Sequence, residues 1–425
     1  MTSEWMLSRR TLIRSAGLLA GGLLSGAISF DPARAQSGEA EGSARPLLMA
    51  HYMPWYMSRA KRGNWGWHWT MDHFNPSETD ENGRPQIASH FMPLTGPYDS
   101  GDPIVLEYQT LLMKASGIDG VIVDWYGIED FRDYGDLNKN TGALFDAVKN
   151  AGLKFAVCYE DRTVKYMVEA GHFTDEEALA HGQDVMRYLQ EQWFTDDSYL
   201  KYNGQPVLLT FGPQYFKSST AWETLRATID PAPGLVTLDG HRVMDELASY
   251  PWPPMAGGVT LNRAAIEAYL TQFYRKAARS EYMVGGAFPG FYDIYAEAGV
   301  QASYGYLDAE DGETFRYTLQ LALDQNPDVI QLITWNDYGE GTNIEPAEEY
   351  GYRYLETVQD VRRALPGGED FPYSADDLRL PFEIYTLRKD NYGDEAVNAD
   401  LDAAASAILA GDAPTAAEIL GGLEA

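Results

Sequence analysis

Eight short apolar runs recur along this chain, and most are separated by stretches whose apolar residues return at helical spacing. The runs are 47–51, 120–124, 154–159, 206–211, 235–239, 257–261, 283–288 and 329–335. Continuous apolar runs this short read as strands buried on both faces, as in a parallel sheet covered by helices. Between the first two, Ile104, Tyr108, Leu111, Leu112 and Ala115 mark one helix face, and Gly117 supplies the left-handed cap that ends it. The stretches 177–193, 262–278 and 314–324 read as further helices. The alternation predicts an α/β fold, a (β/α)8 TIM barrel over 45–365 with long βα loops. A doubly wound sheet is the alternative, but no Gly-x-Gly-x-x-Gly fingerprint follows any run.

Two segments fall outside the alternation. The connection 53–103 is long for a plain βα loop, and Trp55, Trp65, Trp67 and Trp69 argue against disorder, so it reads as a functional loop. From 366 onward the pattern changes. The segment 382–387 fits a helix or a strand, and two Ala-rich amphipathic stretches, 396–409 and 414–423, are joined by Gly411-Asp412. A small C-terminal helical extension over 366–425, packed on the barrel, is expected.

The first 35 residues carry a basic start, a Gly-rich apolar stretch from Ala16 to Phe30 and the small-x-small sequence Ala33-Arg34-Ala35. These describe a secretory signal peptide, and Ser8-Arg9-Arg10 with Leu12 resembles the twin-arginine type. A periplasmic or secreted protein is expected, without membrane insertion after cleavage. Its single cysteine, Cys158, lies in an apolar run and reads as a buried thiol. Removing the first 35 residues, which hold four arginines against Glu4 and Asp31, takes the formal charge from −31 to −33. Such a surface disfavours nucleic acid and anionic membranes, whereas a neutral glycan meets no comparable repulsion.

In a parallel barrel every strand's C-terminal end points to one rim. Tyr52 and Trp55 follow the first run, Asp124, Trp125 and Tyr126 the second, and Glu160 and Asp161 the third. Phe291 and Asp293 follow the seventh, and Trp335, Asn336, Asp337, Tyr338, Glu340 and Glu345 close the eighth. Aromatic faces suit the C–H faces of pyranose rings, while carboxylates and amides hold hydroxyls. Asp337 and Glu340, three residues apart, supply the carboxylate pair that glycosidic cleavage requires: a protonated acid at the leaving oxygen and an ionised base. Crowding among aromatics separates two such pKa values. The blander alternative has Glu340 capping a helix and Asp337 pairing with an arginine. Glu345, followed by Pro346, fits capping or substrate orientation as well as catalysis. Trp67 and His68 bring the long loop to the rim, where His68 fits a sugar contact or a packed core. His51 orients a carboxylate or sits satisfied in the core, and Asp130, Asp133 and Asp136 read as a solvated loop. With no His-Glu-x-x-His pair, calcium loop or Gly-x-Ser-x-Gly elbow, neither metal nor cofactor is expected.

The stretches His51-Tyr52-Met53-Pro54-Trp55-Tyr56, Asp119 through Gly127 and Trp335 through Pro346 resemble the endo-α-mannosidases of glycoside hydrolase family 99. The run Trp335 to Glu340 is similar to the α-1,3-glucanases of family 71 as well. The resemblance, from about Leu47 to Tyr352, implies a (β/α)8 barrel that hydrolyses α-glycosides without metal. By position it makes Asp337 the base and Glu340 the general acid. The endo-mannosidases carry glutamate where Asp337 stands, and their base is thought to deprotonate the sugar's own 2-hydroxyl. A side chain one methylene shorter leaves room for a water and tilts the reading toward inversion. The expected activity is endo-acting hydrolysis of an α-linked polysaccharide or oligosaccharide. A non-catalytic glycan-binding barrel is the competing reading, and an exported cofactor oxidoreductase a third, raised by the signal alone.

Overall fold

The computed structural model describes residues 45–423; the expected signal peptide over 1–35 lies outside the described residues. Eight parallel strands build the barrel: β1 (Leu47–Tyr52), β2 (Gly120–Trp125), β3 (Lys154–Tyr159), β4 (Gln205–Thr210), β5 (Gly234–Leu238), β6 (Ala248–Tyr250), β7 (Val284–Ala287) and β8 (Val329–Leu332). Their order around the sheet is β6-β5-β4-β3-β2-β1-β8-β7. The circle is nearly closed: β6 and β7 touch at the seam, where no ladder joins them. The expected (β/α)8 architecture is therefore present. Nearly every strand residue is buried, as continuous apolar runs require.

The helices between the strands are α1 (Pro103–Ser116), α2 (Tyr134–Asn150), α3 (Asp175–Leu189), α4 (Ser219–Arg226), α5 (Arg263–Ala277) and α6 (Glu313–Leu323), and α7 (Arg353–Ala364) follows β8. Local chemistry fixes their ends. Asp102 accepts the amide of Ile104 ahead of Pro103, and Gly117 (φ 84°) closes α1 in the left-handed region. Thr174 and Glu177 form a reciprocal capping box on α3, and Asn262 caps α5.

One strand departs from expectation. The sixth barrel strand is Ala248–Tyr250, not 257–261. Three residues followed by Pro251-Trp252-Pro253-Pro254 leave too short an apolar run to stand out. Val259–Leu261 is a strand, but it pairs in parallel with Gly305–Leu307, which pairs antiparallel with Phe291–Tyr292 in a separate small sheet. No helix covers the β5–β6 connection.

The connection after β1 is ordered around Trp69, whose indole donates to the Tyr98 carbonyl at 2.7 Å. At the other end of the chain, α8 (Leu380–Asp390), α9 (Glu395–Leu409) and α10 (Ala413–Leu423) form the helical extension. Arg388 on α8 grips both oxygens of Glu107 on α1 at 2.5 and 2.8 Å and reaches Asp402 on α9 at 2.6 Å. Tyr108 on α1 packs against Phe382 and Tyr385 on α8.

Candidate active site

The C-terminal ends of β1, β2, β3 and β8, with the loops that follow, surround a narrow, partly open pocket. Trp55, Trp67, His68 and Tyr126 line it, as do the carboxylates of Glu160 and Asp337. Trp55 and His68 stack face to face, centroids 4.1 Å apart and planes 7° apart. The His68 Nε2 lies 3.9 Å from Asp133 Oδ2. Burial pushes the Asp133 carboxyl up to about 6, so Asp133 belongs to the pocket's backing and not to a solvated loop.

Asp337 and Glu340 share one tight turn beyond β8. The Asp337 amide donates to Thr334 Oγ1 at 2.7 Å, and Asp337 Oδ1 accepts the Glu340 amide at 3.0 Å. Both side chains are almost fully buried. Asp337 lines the pocket directly. Glu340 sits behind Tyr295, a lining residue whose hydroxyl is 3.5 Å from Glu340 Oε1. The two acids thus share one turn, but of the pair Asp337 alone lines the pocket.

Beneath this turn lies a buried polar layer. The Asn336 side chain clamps the backbone of Met53, donating to its carbonyl at 3.0 Å and accepting its amide at 2.8 Å. Tyr56 Oη donates to the Asn336 carbonyl and accepts the Tyr338 amide. Glu345 accepts from Gln109 Nε2 (2.6 Å), Tyr98 Oη (2.9 Å) and Tyr338 Oη (2.8 Å). Tyr52 joins through its hydroxyl, which donates to Gln109 Oε1 at 2.7 Å. Burial raises the Glu345 carboxyl to about 7 against these hydrogen bonds. Tyr52, Asn336, Tyr338 and Glu345 therefore form the floor that aims the turn, and Trp335 packs fully buried beside them.

Other residues expected at the rim do structural work away from the pocket. Trp125 is enclosed by Tyr159, Tyr188 and Trp193, with its indole donating to Asn138 Oδ1 at 3.0 Å. Asp161 accepts the amides of Gln214, Tyr215 and Phe216 at 2.7, 3.0 and 2.8 Å, fixing the loop after β4. Asp293 accepts from the Tyr304 amide and Ser303 Oγ. Phe291 is buried under the small sheet. Asp124 lies in the barrel interior with His51 and Cys158, their donor atoms within 4.8 Å of one another; among the described residues this is the one such group, and none of the three lines the pocket.

Sequence reasoning missed Tyr56, Arg132, Tyr134, Tyr166 and Tyr295 as lining residues. Tyr56 and Tyr295 stand close to clusters that the sequence did single out. Arg132 and Tyr134 belong to a segment whose acidic residues read as solvated, and Tyr166 sits on the short helix Arg162–Glu169, where one aromatic carries no signal of its own.

No family model matches the chain. The chain is 22% identical over 358 residues to the mouse glycoprotein endo-alpha-1,2-mannosidase-like protein, covering 74% of each. It is 22% identical over 336 residues to the human protein of the same name, covering 71% of this chain and 68% of that one. Among solved structures it resembles a family 99 endo-α-mannosidase of Bacteroides thetaiotaomicron: TM-score 0.55, 19% identity, 75% of this chain and 97% of that one. A glycoside hydrolase-like protein matches with a TM-score of 0.53 at 14% identity, covering 78% and 99%. The chain is thus family 99-like in fold and similar in sequence to endo-mannosidase-like proteins, as the motifs after β1, β2 and β8 lead one to expect.

Proposed function

We propose that this family 99-like barrel is a glycoside hydrolase that cuts α-glycosidic bonds within a neutral oligosaccharide or polysaccharide, with Asp337 as base and Glu340 as general acid. One observation carries the reading: the turn joining Asp337 to Glu340 is held rigid from below and faces an aromatic pocket through Asp337 and Tyr295. Trp55 and Trp67 offer apolar faces for a pyranose ring, and Glu160 offers hydroxyl acceptors. The acid protonates the leaving oxygen, and the base activates either a water or the sugar's own 2-hydroxyl. The short Asp337 side chain leaves room for a water and favours inversion. Export by a twin-arginine signal belongs to the same reading, because the substrate is then an extracellular or periplasmic glycan. A glycan-binding barrel without turnover is the second reading, favoured by the same aromatic wall.

Wild type, Asp337→Asn and Glu340→Gln are to be assayed against α-mannans and α-glucans, with NMR of the first-formed anomer. Hydrolysis by wild type falling at least about a thousandfold in each variant, while glycan binding survives, supports the proposal. Binding without hydrolysis by wild type replaces it with the second reading.

A further inference from the structure

We propose that the outer face of the small three-stranded sheet is a second sugar-binding platform, formed by Tyr292, Tyr306 and Thr260, which holds neutral pyranose units of the same glycan beyond the bond being cut. It rests on the glycosidase reading and extends it to a surface outside the pocket.

The register creates the face. Tyr292 stands opposite Tyr306, and Tyr306 opposite Thr260, so the three share one side of the sheet. Their neighbours Phe291 and Leu307, on the other side, are buried. Sheets of this kind bury apolar residues inward and present polar ones outward. Here the outward row is aromatic. Among the described residues four large hydrophobic side chains are exposed, and two of them, Tyr292 (41%) and Tyr306 (36%), stand opposite each other on this face. A single exposed ring needs no explanation, but a cluster on one small sheet marks a contact surface.

The rings are prepared for a flat ligand. His90 stacks on one face of Tyr292, centroids 3.6 Å apart and planes 6° apart. Tyr306 meets Tyr292 edge-on at 5.3 Å and 85°. A ring braced on one face while remaining partly exposed loses little freedom when a sugar settles on it.

Position supplies the ligand. The Tyr292 amide donates to the Glu340 carbonyl at 3.0 Å, and the Ile294 amide to the Gly339 carbonyl at 3.1 Å, so the platform starts at the acid's own backbone. A shallow, open cleft adjoins it, lined by Phe91, Tyr292, Tyr306, Gly341, Asn343 and Tyr350. Asp337 and the Trp55–Trp67 wall belong to the other pocket. The turn that carries the acid pair is therefore flanked by aromatic surfaces in two separate clefts, through Asp337 and Gly339 on one side and Gly341 on the other, the arrangement a chain needs when it is gripped on both sides of the cut. The formal charge of −31 favours neutral sugars over acidic ones.

The test compares full-length wild type with Tyr292→Ala, Tyr306→Ala and the double variant, each checked by thermal melting and by mass in solution. The first readout is the ratio of kcat/KM on α-mannan or α-glucan chains to that on an aryl α-glycoside. The second is retardation in gels containing the same polymers, which needs no turnover. A fall of roughly tenfold in the ratio for each ring, with weaker retardation, is expected. An unchanged ratio, or equal losses on long and short substrates, overturns the platform. A change in oligomeric mass in the double variant overturns it as well, making the face a protein interface. If wild type hydrolyses nothing, the glycosidase reading fails on its own and the gels decide the platform: undiminished retardation of the double variant, or none of wild type, overturns it.

Discussion

Replacing Glu345 by glutamine tests the buried floor through the pH dependence of stability. Burial moves its carboxyl from an ordinary value of 4.5 to about 7, although Gln109, Tyr98 and Tyr338 all donate to it. At about 1.4 kcal/mol per tenfold change in proton affinity, the ionised form is worse off in the fold than in the unfolded chain by about 3 kcal/mol. The folded protein binds this proton more tightly than the unfolded chain does. The contribution is thus fully present below pH 4.5, is lost as pH rises toward 7, and stays flat above. Glutamine does not titrate, but its amide offers one oxygen where three donors converge, which costs about 1–3 kcal/mol at every pH. Glu345→Gln should therefore be less stable than wild type at pH 4.5, with the gap closing by up to about 3 kcal/mol by pH 8. Urea unfolding of both proteins at pH 4.5, 6 and 8 measures it. A gap that stays constant, or widens with pH, refutes the account of Glu345 as a carboxyl held against burial.

Three further outcomes follow from the packing. Glu246 is raised to about 7 by burial despite Arg242 at 3.6 Å, so Glu246→Gln should stabilise the protein at pH 8 by about 1–2 kcal/mol and leave it unchanged near pH 4, read from melting curves. Arg388→Ala strands Glu107, a largely buried carboxylate; a loss of about 2–4 kcal/mol is expected, with limited proteolysis reaching the C-terminal helices before the barrel. Asp161→Asn gives up part of a carboxylate cradle for three backbone amides and should cost about 2–3 kcal/mol in urea unfolding while leaving KM within about twofold, which separates a loop brace from a substrate contact.

The strands of the barrel were legible where burial on both faces leaves long apolar runs, as in Gly120–Trp125 and Lys154–Tyr159. The signal failed at Ala248–Tyr250, because three residues ahead of a proline cluster form too little of a pattern and Val259–Leu261 nearby forms a better one. The rim was legible as composition but not as direction. Trp125 and Tyr126 are adjacent on the chain, yet one turns into the packing beneath α2 and the other into the pocket. Phe291 and Tyr292 divide in the same way across the small sheet. Alternation along a strand decides such pairs, and a one-residue uncertainty in a strand's end reverses the answer.

The turn itself explains why aspartate fits at 337. Its Oδ1 closes a small ring onto the amide three residues on, the reach of a side chain with one methylene, while Thr334 Oγ1 takes the Asp337 amide and Asn336 locks the neighbouring β1 end to the same turn. A glutamate there would carry its carboxylate about 1.5 Å farther. At near-attack distances a displacement of about 1 Å is worth about a hundredfold in rate. With Glu340 as acid and Asp337 as base, as proposed, the shorter side chain would move the position at which the proton is taken. Under the proposed mechanism that shift favours a water between base and sugar, so the length of one side chain and the stereochemistry of the product become a single physical question.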